Sequence, residues 1–237
     1  MSETTAVLLA GGKGTRLAPY TLTIPKPLVP IGDYPILEII IRQLQKRGIN
    51  RLQIAVNHQA KLISDYFGDG KQFGVDIKYT LEQTPLGTMG PLSIMSENLP
   101  ENFLVMNGDV LTDIPFDSFL SEHNKRGSIF SIAGKQRQNK VDYGVLHISP
   151  DGILTGFEEK PTIDYAVSMG VYAVSKRVLD YIPKGEHFGF DQLMLRLLHA
   201  GENVHVSIYD GYWNDIGRPS DYEKALLDFK DMQEVFL

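Results

Sequence analysis

The residues best suited to chemistry lie near the amino terminus, in "LLAGGKGTRLAPYTLTIPKPL" from Leu8 to Leu28. Gly11, Gly12 and Gly14 follow an apolar run and are interleaved with Lys13 and Arg16; Lys26 comes later, between two prolines. No acidic residue occurs between Thr4 and Gly32, although the chain carries a formal net charge of -6. Glycines let backbone N–H groups approach an anion, and Lys and Arg neutralise it, so the segment suits a polyanion such as a triphosphate. Pro25 and Pro27 fix φ on both sides of Lys26 and present its ammonium from a stiff segment. Two standard phosphate fingerprints are absent. There is no G-x-x-x-x-G-K-[ST], and G-x-G-x-x-G would need glycine where Leu17 stands. A tight turn would account for the glycines alone but leaves the cations without a reason.

Other chemistry-bearing residues are scattered. Asp109 closes "FLVMNGD", a short apolar strand pattern, and the carboxyl end of a strand is where open α/β sheets bind ligands. By itself it reads equally well as a capping or turn aspartate. Asp215 lies far along the chain, and its relation to Asp109 is not legible from spacing. Lys160, just before a proline, reads alone as a solvated side chain, and Trp213 as packing. The chain has no cysteine, which excludes disulfides, thiolate metal sites and cysteine nucleophiles. Its six histidines show neither metal nor triad spacing.

The elements that must position these residues alternate in type. "TTAVLLA", "RLQIAV", "VDIKYTL" and "FLVMNGD" read as strands, with helices expected over Ile36–Gly48 and near Gln59–Phe67. Strands separated by such helices form parallel βαβ units. The second half changes character: "SIFSIAG", "YGVLHIS", "GILTGFEEKP" and "SMGVYAVS" read as strands joined by turns. Amphipathic helices are expected at Lys176–Tyr181 and Asp191–His199, then "VHVSIYD", "GYWNDIG" and a helix from Pro219. No repeat or flexible linker interrupts the pattern. One domain over 1–237 is expected, with a nucleotide-binding half at about 1–113 and a more antiparallel half at about 114–237.

At 237 residues the chain can bury a sizeable core, and 43% hydrophobic with 22% charged residues is ordinary for a soluble protein. The acidic balance and the lack of a basic tract argue against nucleic-acid binding. "MSETTAVLLAGG" lacks the basic region of a signal peptide, and no apolar run reaches membrane-spanning length. A soluble, cytoplasmic protein without membrane or nucleic-acid partners is expected.

The motifs "LAGGKGTRLAPYTLTIPKPL", "PLGTMG", "NGD", "EEKP", "GVY" and "YWNDIG", in that order, resemble the sugar nucleotidyltransferases. That family joins a nucleoside triphosphate (NTP) to a sugar 1-phosphate and releases pyrophosphate. The resemblance implies an α/β fold: a Rossmann-like mixed, mainly parallel sheet flanked by helices, with a smaller antiparallel sugar-binding lobe. It places Leu9, Gly11 and Gly12 against the nucleotide, with Gly14, Thr15 and Arg16 around the β- and γ-phosphates. Arg16 and Lys26 become the catalytic cations, and Gln83, Gly87 and Thr88 face the base. Asp109 and Asp215 match the two aspartates that hold Mg²⁺. Gly144, Glu159, Lys160 and Gly170 match the sugar-phosphate site.

Many relatives carry Asn where this chain has Met169, so a sugar contact is altered or comes from elsewhere. The chain also ends about one helix after "WNDIG", so the resemblance implies no carboxyl-terminal β-helix or acetyltransferase domain. "PKPLVPIG" and the compact length look most like the guanylyltransferase branch acting on mannose or heptose 1-phosphates. Uridylyl or thymidylyl transfer to glucose 1-phosphate is the close alternative, and a catalytically silent nucleotide-sugar sensor the distant one. The resemblance leaves a homo-oligomer open.

Overall fold

The computed structural model describes residues 4–57 and 59–237. In chain order its elements begin with β1 (Thr5–Leu9), β2 (Pro30–Ile31), β3 (Tyr34–Pro35), α1 (Ile36–Lys46), β4 (Arg51–Val56), α2 (Ala60–Phe67) and β5 (Asp76–Leu81). Then come α3 (Gly90–Ile94), β6 (Asn102–Asn107), β7 (Val110–Thr112), α4 (Phe116–Arg126) and β8 (Phe130–Lys140). The chain closes through β9 (Val145–Ile148), β10 (Leu154–Glu158), β11 (Thr162–Ser175), α5 (Phe190–His199), β12 (Val204–Ile208), β13 (Trp213–Asp215) and α6 (Pro219–Phe236).

Seven strands form one sheet in the order β12-β8-β11-β6-β1-β4-β5. The pairs of β1 with β4 and β6, of β4 with β5, and of β8 with β12 are parallel. Only β11 runs against its neighbours β6 and β8. The sheet is therefore mixed and mainly parallel, as expected. β1 is central because both its faces are apolar. Ala6 and Leu8 join a core with the α1 residues Ile36, Ile39 and Ile40, while Val7 joins Ala55, Phe103 and Val105 on the opposite face. Burying each large side chain contributes about 1.5–3 kcal/mol, so a strand apolar on both faces is driven to the middle of the sheet.

One expectation needs correction, and one helix was not foreseen. Lys176–Tyr181 forms a 3-10 turn rather than an amphipathic helix; of its residues only Val178 is buried, too little to hold an apolar face. The helix α4 is not announced by the sequence, because its inward stripe of Phe116, Phe119, Leu120 and His123 relies on a histidine in an otherwise polar segment. That histidine is fully enclosed, with Nδ1 2.8 Å from Ser131 Oγ, and burial pushes its pKa down to about 4. The unfolded chain, with an ordinary histidine near 6.5, binds the proton more readily. Stability should thus be complete above pH 6.5 and fall as the pH drops toward 4, by up to about 3 kcal/mol. In His123→Leu the decline between pH 6.5 and 4 should flatten in urea melts; an unchanged pH profile would exclude His123 as its source.

Candidate active site

The loops after β1, β4, β5 and β6 leave the same edge of the sheet, the carboxyl ends of parallel strands. There they enclose an open cavity of about 440 Å³ whose lining includes Gly11, Gly12, Lys13, Arg16, Asn57 and Glu82. Leu9, Gly87, Thr88, Asn107 and Asp109 complete much of the rest.

The glycine loop has specific reasons for its composition. Gly14 is left-handed at φ 65°, and a Cβ there would stand 3.0 Å from both Lys26 Cβ and Thr21 Cγ2. Its carbonyl accepts from Leu17 N at 2.9 Å and from Thr21 Oγ1 at 2.8 Å, which closes a 3-10 turn over Thr15–Leu17. Leu17 is buried and anchors the turn, leaving Arg16 to project into the cavity. At Gly11 a Cβ would overlap Glu82 Oε1, so glycine there admits a buried carboxylate to the cavity wall.

The two aspartates converge through a small ribbon. β7 pairs antiparallel with β13, which sets Asp215 opposite Val110, and Ile216 N donates to Asp109 O at 3.0 Å. Lys26, 8% exposed, forms an ion pair with Asp109 Oδ2. Burial raises the pKa of Asp215 above the ordinary carboxylate range, and the charge of Asp109 raises it further; Lys26 and Arg16 pull it back down. Arg16 Nη2 lies 3.7 Å from where a Cβ on Gly217 would stand, beside the same ribbon. Two carboxylates and two cations thus interact beside the cavity, of which Arg16 and Asp109 form part of the lining. Among the described residues no group of three or more His, Cys, Asp or Glu gathers for a metal. Two hard carboxylates beside a phosphate site are nonetheless the usual setting for Mg²⁺, which draws its other ligands from substrate and water. A divalent cation would offset both the burial of the Asp215 charge and its repulsion by Asp109, so the donor set fits Mg²⁺.

The remaining expected residues divide. Thr88 lines the cavity while its Oγ1 accepts from Phe190 N at 2.8 Å, tying the wall to α5. Gly87 packs against the Phe188 carbonyl. Thr15 and Gln83 are exposed beside the cavity rather than in its lining. Gly170 touches the cavity indirectly, with Asn107 Nδ2 2.6 Å from where its Cβ would be. Gly144, Glu159 and Lys160 sit apart, on exposed loops around the β9–β10 hairpin. Lys160 holds φ 45°, rare for a residue with a side chain, and its Nζ is 3.7 Å from Glu159 Oε1. Met169 is buried in the core, so its side chain is not exposed to meet a sugar hydroxyl, and its carbonyl accepts from Trp213 Nε1 at 2.9 Å. Lys13, one of the three cations expected to face a polyanion, lines the cavity, and Asn57, Glu82 and Asn107 line it without having been expected there. Asn57, Glu82 and Asn107 each stand at or just past the carboxyl end of a sheet strand, the same signal that singles out Asp109.

A family model described as nucleotidyl transferase matches residues 5–232, and the chain belongs to that family. It is 33% identical over 224 residues to the D-glycero-alpha-D-manno-heptose 1-phosphate guanylyltransferase of Campylobacter jejuni, covering 94% of this chain and 99% of that protein. It is 34% identical over 240 residues to the UTP–glucose-1-phosphate uridylyltransferase of Synechocystis, covering 93% of this chain but only 62% of that relative's length. The crystal structure of HddC from Yersinia pseudotuberculosis superposes with a TM-score of 0.75 at 28% identity, over 95% of this chain and 99% of that one. The same protein complexed with GMP-PN gives a TM-score of 0.74. No helix among the described residues is long and apolar enough to cross a membrane.

Proposed function

We propose that this protein is a sugar-1-phosphate guanylyltransferase acting on a manno- or heptose-type sugar 1-phosphate in one domain, its nucleotide-binding half preceding its sugar-binding half. The observation that carries the reading is the corner where Arg16, Lys26, Asp109 and Asp215 meet beside the glycine loop. A phosphate oxygen of the sugar 1-phosphate attacks the α-phosphorus of GTP as the bond from that phosphorus to the bridging oxygen breaks, and pyrophosphate leaves. The nucleophile is already an anion, so no general base is required. The obstacle is repulsion between two polyanions, together with charge that builds on the leaving group.

Lys13 and Arg16 neutralise the β- and γ-phosphates while the backbone of Gly11 and Gly12 lets them approach closely. Lys26 faces the α-phosphate, held by Asp109 until substrate arrives. Asp109 and Asp215 would hold Mg²⁺, which when bound supplies Lewis-acid stabilisation of phosphate charge. Glu159 and Lys160, on the separate hairpin loops, receive the sugar phosphate.

Base choice rests on Glu82. It is 6% exposed, its Oε2 accepts from Leu86 N at 2.9 Å, and its Oε1 reaches the cavity wall at Gly11. A guanine edge offers adjacent N–H donors to such an acceptor. A uracil edge sets carbonyl oxygens on either side of its single donor, and these repel a carboxylate. The relatives' names divide between guanylyl and uridylyl transfer, and in this reading the Glu82 contact is what chooses between the two bases. Glu82→Gln should lower the GTP-to-UTP ratio of kcat/KM by about 10- to 100-fold, the discrimination of one well-formed base contact. An unchanged ratio would remove Glu82 from base selection. Direct support for the reaction would be a GDP-sugar identified by mass spectrometry after incubation with GTP, Mg²⁺ and mannose or heptose 1-phosphate.

A further inference from the structure

Arg137 takes no part in the chemistry derived above, yet it is held in a defined place. β11 runs against both β6 and β8, so β8 points the same way as β6 and its outer residues leave the sheet at the edge where the site lies. Lys135 and Arg137 are two residues apart there and share a face. Lys135 is committed: its Nζ donates to Gly211 O at 2.8 Å and ties β8 to the loop before β13. Arg137 is not. Its guanidinium lies over the ring of Trp213, 5.1 Å from the centroid, and among the described residues it has no ion-pair partner. Trp213 is itself fixed, with Nε1 donating to Met169 O at 2.9 Å. A planar cation is thus laid on an anchored aromatic platform while the side chain stays exposed.

This platform adjoins the acceptor side of the site. Trp213 precedes Asp215 on β13 by two residues, so both share a face about 7 Å apart along the strand. In the proposed reaction, on which this inference rests, the sugar's phosphate reacts beside Asp109 and Asp215. The glycine loop and Glu82 line the cavity that takes the nucleotide, so the sugar must extend the other way. That way leads past Gly170, which packs on Asn107 and Val110, toward Trp213. We propose that Arg137 binds the end of the acceptor sugar remote from its phosphate and selects a heptose over a hexose. A guanidinium presents its N–H donors in one plane as a fixed fork, which suits two hydroxyls on adjacent carbons. A manno-heptose carries such a pair on its exocyclic chain, where mannose carries a single hydroxyl.

The test compares kcat/KM of the full chain for D-glycero-alpha-D-manno-heptose 1-phosphate and mannose 1-phosphate, each with GTP and Mg²⁺. Wild type should favour the heptose by at least about tenfold, the lower end for hydrogen bonding to a charged group. Arg137→Met should bring the ratio to within about threefold of one, and Arg137→Lys should restore only part of it, because an ammonium lacks the fork. The side chain is exposed, so far-UV circular dichroism should not change. A purely structural contribution would lower both rates alike in Arg137→Met and leave the ratio at its wild-type value, and that result would overturn the proposal. Equal wild-type rates with the two sugars would overturn it as well. A wild type inert toward both would refute the reaction itself and the inference with it.

Discussion

Replacing Arg16 by alanine is expected to lower kcat by roughly 10²–10³, the loss seen when one donor to developing negative charge is removed. The guanidinium lines the cavity, sits beside Gly217 and lowers the pKa of Asp215, so it stands where the proposed reaction would place the leaving group beside the metal-holding carboxylates. Its turn is anchored by the buried Leu17, and deleting the exposed side chain leaves that anchor intact. The defect should therefore appear in kcat and in kcat/KM for GTP with little change in Tm. Arg16→Lys should recover only part of the rate, because an ammonium keeps the charge but loses the planar fork that matches phosphate oxygens. Near-normal turnover in Arg16→Ala would exclude it as a catalytic residue.

Asp215→Asn is expected to move activity and stability in opposite directions. Burial and the neighbouring Asp109 hold the Asp215 carboxyl above its ordinary pKa of 3.8. A carboxyl whose pKa is raised on folding binds its proton more tightly in the folded chain, so its stabilising contribution is complete below the unfolded pKa and is lost as the pH rises. At neutral pH the charged group is a liability in the metal-free protein, and the neutral amide removes it. Metal-free Asp215→Asn should melt higher than wild type, by roughly 2–4 °C for each kcal/mol of buried-charge cost relieved. The stabilisation of wild type by added Mg²⁺ and GTP should shrink in the variant, and kcat should fall by about 10² or more. A metal-free Tm at or below wild type would contradict the reading of Asp215 as a charge destabilised by burial and by its like-charged neighbour.

Much of the fold is legible in the chain because the apolar strands announce themselves. "AVLLA" and "FLVM" are apolar on both faces and could only be central, and β1 and β6 are neighbours. The helix α4 escapes such a reading because one of its four inward positions is a histidine. The site is legible where chemistry is local. Gly11, Gly12, Arg16 and Lys26 lie within one stretch of chain, and a cation-rich loop free of carboxylates suits a polyanion and little else. What spacing does not reveal is the meeting of Asp109 with Asp215, since the β7–β13 ribbon that joins them is made of two three-residue strands. Glu82 is hidden for a related reason. A lone glutamate after a strand looks solvated until Gly11 is seen to make room for it.

The most direct measurement is pyrophosphate release with Mg²⁺, using GTP, UTP and dTTP in turn against mannose, heptose and glucose 1-phosphates. Release with GTP and a manno-configured phosphate, and at least tenfold less with UTP and glucose 1-phosphate, is the expected result. No release from any pair, with a GDP-sugar still bound tightly, would contradict nucleotidyl transfer and identify a protein that holds the product without making it.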